Sequence, residues 1–205
     1  MTLHPLSEND PRLRAVSAKL TLKQLRTREQ QAEIDSLLDY VYAKANKGVA
    51  GETHDRSKQS VVGLSANQVS LMKQISIVDL SIGRKDYHDM HVLINPQIVW
   101  RSKAMLQKNE GCVNFPTIRG LTSRSKSVKV QALDRSGNEL TLKLTGWPAV
   151  LIQHEYDHLN GHLFIDRLVD PTQADLVEAG EFKEYRKAKG GWRKKTDMSG
   201  KIWRG

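Results

Sequence analysis

The chain has 205 residues, 39% of them hydrophobic and 27% charged, a balance that suits one globular domain with a core of its own. No apolar run approaches the roughly 20 residues a membrane helix needs, and Met1-Thr2-Leu3-His4-Pro5 lacks the charged-then-apolar order of a signal peptide. A net charge of +9 favours polyanionic partners, and the lone Cys112 excludes an internal disulfide, which makes a reducing cytoplasm the natural compartment.

Residues 1 to 20 read as an irregular lead-in, because Pro5 and Pro11 obstruct regular structure. From Leu22 to about Asn46, Ile34, Leu37, Leu38, Val41, Tyr42 and Ala45 recur at three- and four-residue steps. That spacing predicts a helix with an apolar stripe turned to the core, ended by Gly48. Val49 through Ser60 mixes glycine with charged and polar residues and reads as a loop before Val61-Val62.

The middle of the chain is strand-like. Ile75 to Leu80, His91 to Asn95 and Ser127 to Ala132 are short and rich in β-branched residues. The last of these, with Asp134-Arg135-Ser136-Gly137-Asn138 and Leu140 to Leu144, predicts a hairpin. A second helix is expected from about Pro148, which suits a first helical position, to just before Gly161. A last helix is expected from an Asp170 cap to about Lys189, stopped by Gly190-Gly191. The elements predict an α+β fold: a mainly antiparallel sheet packed around the second helix as a central one, with one helix before it and one after. Residues 1–189 are expected to form a single domain and 190–205 a basic, flexible tail. From Lys183 to Arg204 nine basic residues face only Glu184 and Asp197, either a solvated segment or a docking surface for nucleic acid or a ribonucleoprotein.

The chemistry concentrates in His154-Glu155-Tyr156-Asp157-His158. On a helix, the four-residue step turns both imidazoles to one side, where they can share a metal with Glu155 beside it as a proton carrier. A surface helix with two solvated histidines would carry the same pattern. The apolar run Ala149-Val150-Leu151-Ile152 argues instead for a buried helix, where unpaired polar groups are costly. Two sources of a third ligand remain open on spacing: a later carboxylate, Glu178 or Glu181, or Cys112 in Glu110-Gly111-Cys112-Val113-Asn114-Phe115-Pro116. The glycine before Cys112 permits a close backbone approach.

Three segments in order carry a resemblance: Gly63-Leu64-Ser65-Ala66-Asn67-Gln68, Glu110-Gly111-Cys112-Val113-Asn114, and Gln153-His154-Glu155-Tyr156-Asp157-His158-Leu159-Asn160-Gly161. Together they resemble the motifs of the peptide deformylase family, and the similarity spans about residues 10 to 168, including Asp10 to Arg14 and Leu163 to Arg167. The third motif is complete. Ser65 stands where the family usually has alanine, Asn114 where it usually has serine, and Val61 where a further glycine is common.

The resemblance implies a metal held by Cys112, His154 and His158, typically ferrous iron with zinc or nickel able to substitute, and an open fourth position. It implies hydrolysis of the N-formyl group of nascent formylmethionyl polypeptides, with release of formate. Glu155 would be general base and acid, and the Gln68 amide and the Val113 N–H would serve the developing oxyanion. Val62, Gly63 and Gly111 would meet peptide backbone, and Trp147, Val150 and Leu151 would wall an apolar side-chain pocket, although the last two could equally be plain core. Arg119 is a possible substrate contact, Glu110 with Arg124 a structural ion pair, and Asp157 an orienting group. Against this stand a zinc metallopeptidase-like hydrolase that uses Glu178, and a catalytically weak homologue that binds ribosomes or nucleic acid through its basic C-terminus.

Overall fold

The computed structural model describes residues 2–46, 61–81 and 89–202. The lead-in is irregular apart from a 3-10 turn at Pro11–Arg14, capped by the Asp10 carboxylate on the Arg12 N–H. The first predicted helix is divided. A capping box between Thr21 and Gln24 opens α1 (Leu22–Leu25), and the Thr27 hydroxyl then takes over as a cap for the Gln30 N–H and starts α2 (Arg28–Asn46). In α2, Ile34, Leu37 and Val41 are fully buried, as their spacing predicts, and Leu38 packs beside them. The Tyr42 and Ala45 side chains, Gly48 and the loop read over Val49 to Ser60 lie outside what the structure describes.

Nine strands follow among the described residues: β1 (Gly63–Ser65), β2 (Ile75–Asp79), β3 (Met90–Arg101), β4 (Met105–Cys112), β5 (Phe115–Ser125), β6 (Ser127–Leu133), β7 (Glu139–Thr145), then helix α3 (Trp147–Leu159), β8 (Ala174–Leu176), helix α4 (Phe182–Lys187) and β9 (Lys195–Thr196). They form two antiparallel sheets, one ordered β1-β2-β3-β6-β7 and one ordered β4-β5-β8-β9. Helix α3 packs against β1, β2 and β7 of the first sheet and against β5 of the second. The expected hairpin is β6 with β7, in register from Ser127 opposite Thr145 to Leu133 opposite Glu139.

Strand β3 runs well beyond the predicted 91–95 segment, straight through Pro96. A register shift between Ile94 and Gln97, with Asn95 at φ 51°, absorbs the residue that cannot donate to the ladder. The expected 170–189 helix is a correction. Asp170 does cap a turn, accepting from the Thr172 N–H, but that 3-10 turn gives way at once to β8, in which Ala174 and Asp175 are buried. Gly180 at φ +91° separates β8 from the six-residue α4. The segment beyond Gly191, expected as a tail, lies against the domain through residue 202: β9 pairs with β8, the Trp192 indole donates to the Leu176 carbonyl, and Met198 is buried with Leu13, Phe115 and Phe164.

Gly161 follows α3 at φ +76°, and a Cβ there would overlap the Arg14 carbonyl. Gly161→Ala is therefore expected to cost about 1 to 3 kcal/mol, read as a lower midpoint in thermal unfolding. An unchanged midpoint would show that the lead-in does not press on this turn.

Candidate active site and metal centre

The four-residue step of His154 and His158 on α3 brings their Nε2 atoms to 3.2 Å of each other. Cys112, the last residue of β4, adds its Sγ 3.4 Å from His158 Nε2. The ligand atoms of these three buried residues all lie within 4.8 Å of one another. Glu178 and Glu181 take no part: both are on the surface with Lys194, at 3.4 and 2.5 Å. That removes the carboxylate alternative for the third ligand.

Glu110, two residues before Cys112 on β4, holds this cluster in place. Its Oε2 lies 2.8 Å from His154 Nδ1, and because a carboxylate only accepts, the imidazole proton sits on Nδ1 and leaves Nε2 to the cluster. Glu110 also accepts from Arg124 Nε at 2.6 Å, from Arg124 Nη2 at 3.1 Å and from the Thr122 hydroxyl. Arg124 extends the network to Asp157 Oδ2 at 2.7 Å, and Asp157 accepts in turn from Arg167. Burial raises Glu110, but the Arg124 and His154 charges outweigh it and hold the carboxyl down at about 2. Asp157 is held at about 2 in the same way, with Arg167 and Arg124 overcoming burial. The Phe164 ring stacks on His154 at 6.1 Å between centroids.

Glu155 sits beside the cluster, 2% exposed, and burial pushes its carboxyl up, opposed by His154 and by a hydrogen bond from Ser65. Ser65 Oγ lies 2.8 Å from Glu155 Oε2, and Ser76, its cross-strand partner on β2, stands 2.9 Å behind. The Glu155 carbonyl is a second acceptor for Ser65 Oγ at 2.9 Å, and with the single Ser65 proton given to Glu155, Ser76 must be the donor to Ser65. Gly63 on β1 lets the backbone come this close, since a Cβ there would overlap Glu155 Oε1 and Leu151 Cδ1. Gln68 is buried as well, its Nε2 3.2 Å from Cys112 Sγ and 2.9 Å from Asn114 Oδ1.

The remaining predicted residues are placed unevenly. Gly111 lies under the Arg119 side chain, which itself stacks on the Phe182 ring at 4.8 Å and donates to the Ile118 carbonyl at 2.6 Å. Val150 and Leu151 are buried, Leu151 among Val78, Leu93 and Ile152, and Trp147 and Val62 are partly buried. Sequence reasoning missed four supports. Asn67 Nδ2 donates to the His158 carbonyl at 2.6 Å, the Gln153 amide bridges Ser125 to α3, and Ser65 and Asn114 touch Glu155 and Gln68. Each lies in or beside one of the three motifs; what could not be read was which polar side chain faces inward.

A thiol and two imidazoles with lone pairs turned on one another fit a divalent metal, and the Glu110 contact fixes the tautomer that a ligand His154 requires. With the geometry in hand, comparison with known proteins is decisive. The family model described as polypeptide deformylase matches residues 5–174. The chain is 34% identical over 189 residues to a peptide deformylase of Xylella fastidiosa, covering 92% of this chain and 99% of that protein. Its fold is similar to the Met-Ala-Ser-bound class I type b peptide deformylase of Acinetobacter baumannii, with a TM-score of 0.68 and 27% identity over 82% of this chain and 99% of that one. It is also similar to a variant of Arabidopsis thaliana peptide deformylase 1B, with a TM-score of 0.67 and 31% identity over 83% of this chain and 82% of that one.

Glu110→Gln would leave Arg124 short of a buried counter-charge and is expected to cost about 3 to 5 kcal/mol of unfolding free energy in metal-free protein, measured by denaturant titration. A loss under about 1 kcal/mol, the range of exposed pairs, would contradict the buried network.

Proposed function

This chain belongs to the polypeptide deformylase family, and from that premise we propose how its own residues act. It is a metal-dependent hydrolase that removes the N-formyl group from nascent peptides. The convergence of Cys112, His154 and His158 beside a buried Glu155 carries the reading.

Cys112, His154 and His158 hold the metal, with Fe2+ the native ion on the family resemblance and Zn2+ or Ni2+ able to replace it. When bound, such an ion supplies Lewis acidity and brings the pKa of water toward about 7. Glu155 takes the proton of the attacking water, for which its raised pKa suits it, and returns it to the departing amine nitrogen. Ser65, donating to Glu155 Oε2, keeps the carboxylate aimed while it does so. As the formyl carbon becomes tetrahedral, Gln68 Nε2–H and the Val113 N–H donate to the oxygen that gains charge.

Gly63 in β1 and Gly111 in β4 lie on strands that end their respective sheets. A peptide backbone beside Val62, Gly63 and Gly111 would extend those edges, a mode that reads little side-chain sequence. We assign Trp147, Val150, Leu151 and Arg119 to the first side chain and its flank. Among the described residues no helix is long and apolar enough to cross a membrane. We place the enzyme in the cytoplasm, where its nascent substrates emerge, and assign ribosome contact to the basic C-terminal segment.

Cys112→Ala should abolish both stoichiometric metal and release of formate from formyl-Met-Ala-Ser, while Glu178→Ala leaves both unchanged; the opposite pattern would sink the ligand assignment. Gln68→Ala should lower kcat roughly 100- to 1000-fold with metal retained. The exposed Lys187, Lys189 and Arg193 test docking more cleanly than truncation, which would remove the buried Met198. Their joint replacement by Glu should weaken ribosome co-sedimentation and spare turnover of the small peptide, and unchanged co-sedimentation would dismiss the contact.

A further inference from the structure

Two side-chain amides next to the metal cluster are locked by backbone groups whose donor and acceptor identities admit no choice. Gln68 Oε1 accepts from the Ser65 N–H at 2.7 Å, which puts the Gln68 NH2 on the opposite side, against Asn114 Oδ1 at 2.9 Å. Asn114 Nδ2 donates to two carbonyls, Leu6 at 2.8 Å and Gln68 at 3.0 Å. Turning over Gln68 would set its NH2 against a backbone N–H and its oxygen against Asn114 Oδ1; turning over Asn114 would set its oxygen against two carbonyls. Both anchors thus force the same arrangement. The first Nε2 proton is spent on Asn114, and the second is left to the edge of the cluster, where Cys112 Sγ stands 3.2 Å away.

Gln68 and Asn114 are each 2% exposed, so a mismatched arrangement would strand polar atoms away from water. The lead-in takes part: the Leu6 N–H donates to the Gln68 carbonyl at 2.8 Å while its own carbonyl holds Asn114. Asn114 stands where the resembling family usually has serine, and a serine hydroxyl has one proton, too few to hold both carbonyls.

We propose that Asn114 is a positioning residue that fixes the Gln68 amide with one N–H aimed at the developing oxyanion, and that the Leu6 segment is the outer anchor of this clamp. The inference rests on Gln68 acting as that donor. It is tested by a double-mutant cycle of Asn114→Ala and Gln68→Ala in metal-loaded enzyme, reading kcat, KM, metal stoichiometry and the thermal midpoint on formyl-Met-Ala-Ser. Asn114→Ala alone should lower kcat roughly tenfold with KM within about twofold and metal retained, the cost of a donor no longer held in place. In the Gln68→Ala background the same change should alter kcat by less than about twofold, because coupled residues are not additive.

Full additivity, or a KM change without a kcat change, overturns the clamp and leaves the donor role of Gln68 standing. Wild-type kcat in Gln68→Ala overturns both. Should Asn114→Ala yield no folded protein, Asn114→Ser enters the same cycle and must show the same loss of coupling in the Gln68→Ala background.

Discussion

The Glu110 carboxylate is the interaction on which the site depends. It is an ionised group inside the protein, tolerable only because Arg124, His154 and Thr122 satisfy it together. Arg124 is equally buried and needs Asp157 as a second partner, which places the far end of the network on α3. The chain of charges therefore ties the β4–β5 hairpin to the helix at two points, His154 and Asp157. Cys112 follows Glu110 by two residues on the same strand, so fixing Glu110 against His154 also fixes the thiol against both imidazoles. The Glu110 contact to Nδ1 sets the face that His154 turns to the cluster.

Around that frame Glu155 and Gln68 are held by neutral hydrogen bonds. Ser76 and Ser65 stand behind Glu155, Asn67 holds the helix at the His158 carbonyl, and Asn114 holds Gln68. Such groups cost desolvation when buried and contribute little net stability, but a well-satisfied network admits one arrangement. A carboxylate whose proton affinity burial has raised and a donor kept from turning over suit amide hydrolysis. Gly63 belongs to the same economy of space, because only its missing Cβ lets β1 lie against Glu155.

Much of this was legible in the sequence where local pattern and burial agree. The alternation in Ser127 to Leu144 made the β6–β7 hairpin readable, the Ala149 to Ile152 run announced α3 as a buried helix, and the Ile34, Leu37 and Val41 spacing marked the core face of α2. Strand character was legible only around Glu110 to Pro116, and most of β4 and β5 escaped because their inward positions include Glu110, Thr122 and Arg124, polar residues whose partners lie far along the chain. The 170–189 helix failed for a different reason: a good cap at Asp170 starts a turn, but pairing with β5 and β9 then captures the next residues. At the site, spacing marked His154, Glu155 and His158, and the order of motifs brought in Cys112 and Gln68. The roles of Ser65 and Asn114 depend on cross-strand register and on the Leu6 carbonyl, neither of which a linear pattern contains.

The atoms that surround the metal are the most direct test of the site. X-ray absorption at the metal edge of anaerobically purified, active protein reports the ligand atoms without recourse to activity. One sulfur and two imidazole nitrogens is the predicted result, with the bound-metal signal itself lost in Cys112→Ala. A shell of nitrogen and oxygen alone in the active wild-type enzyme would contradict it.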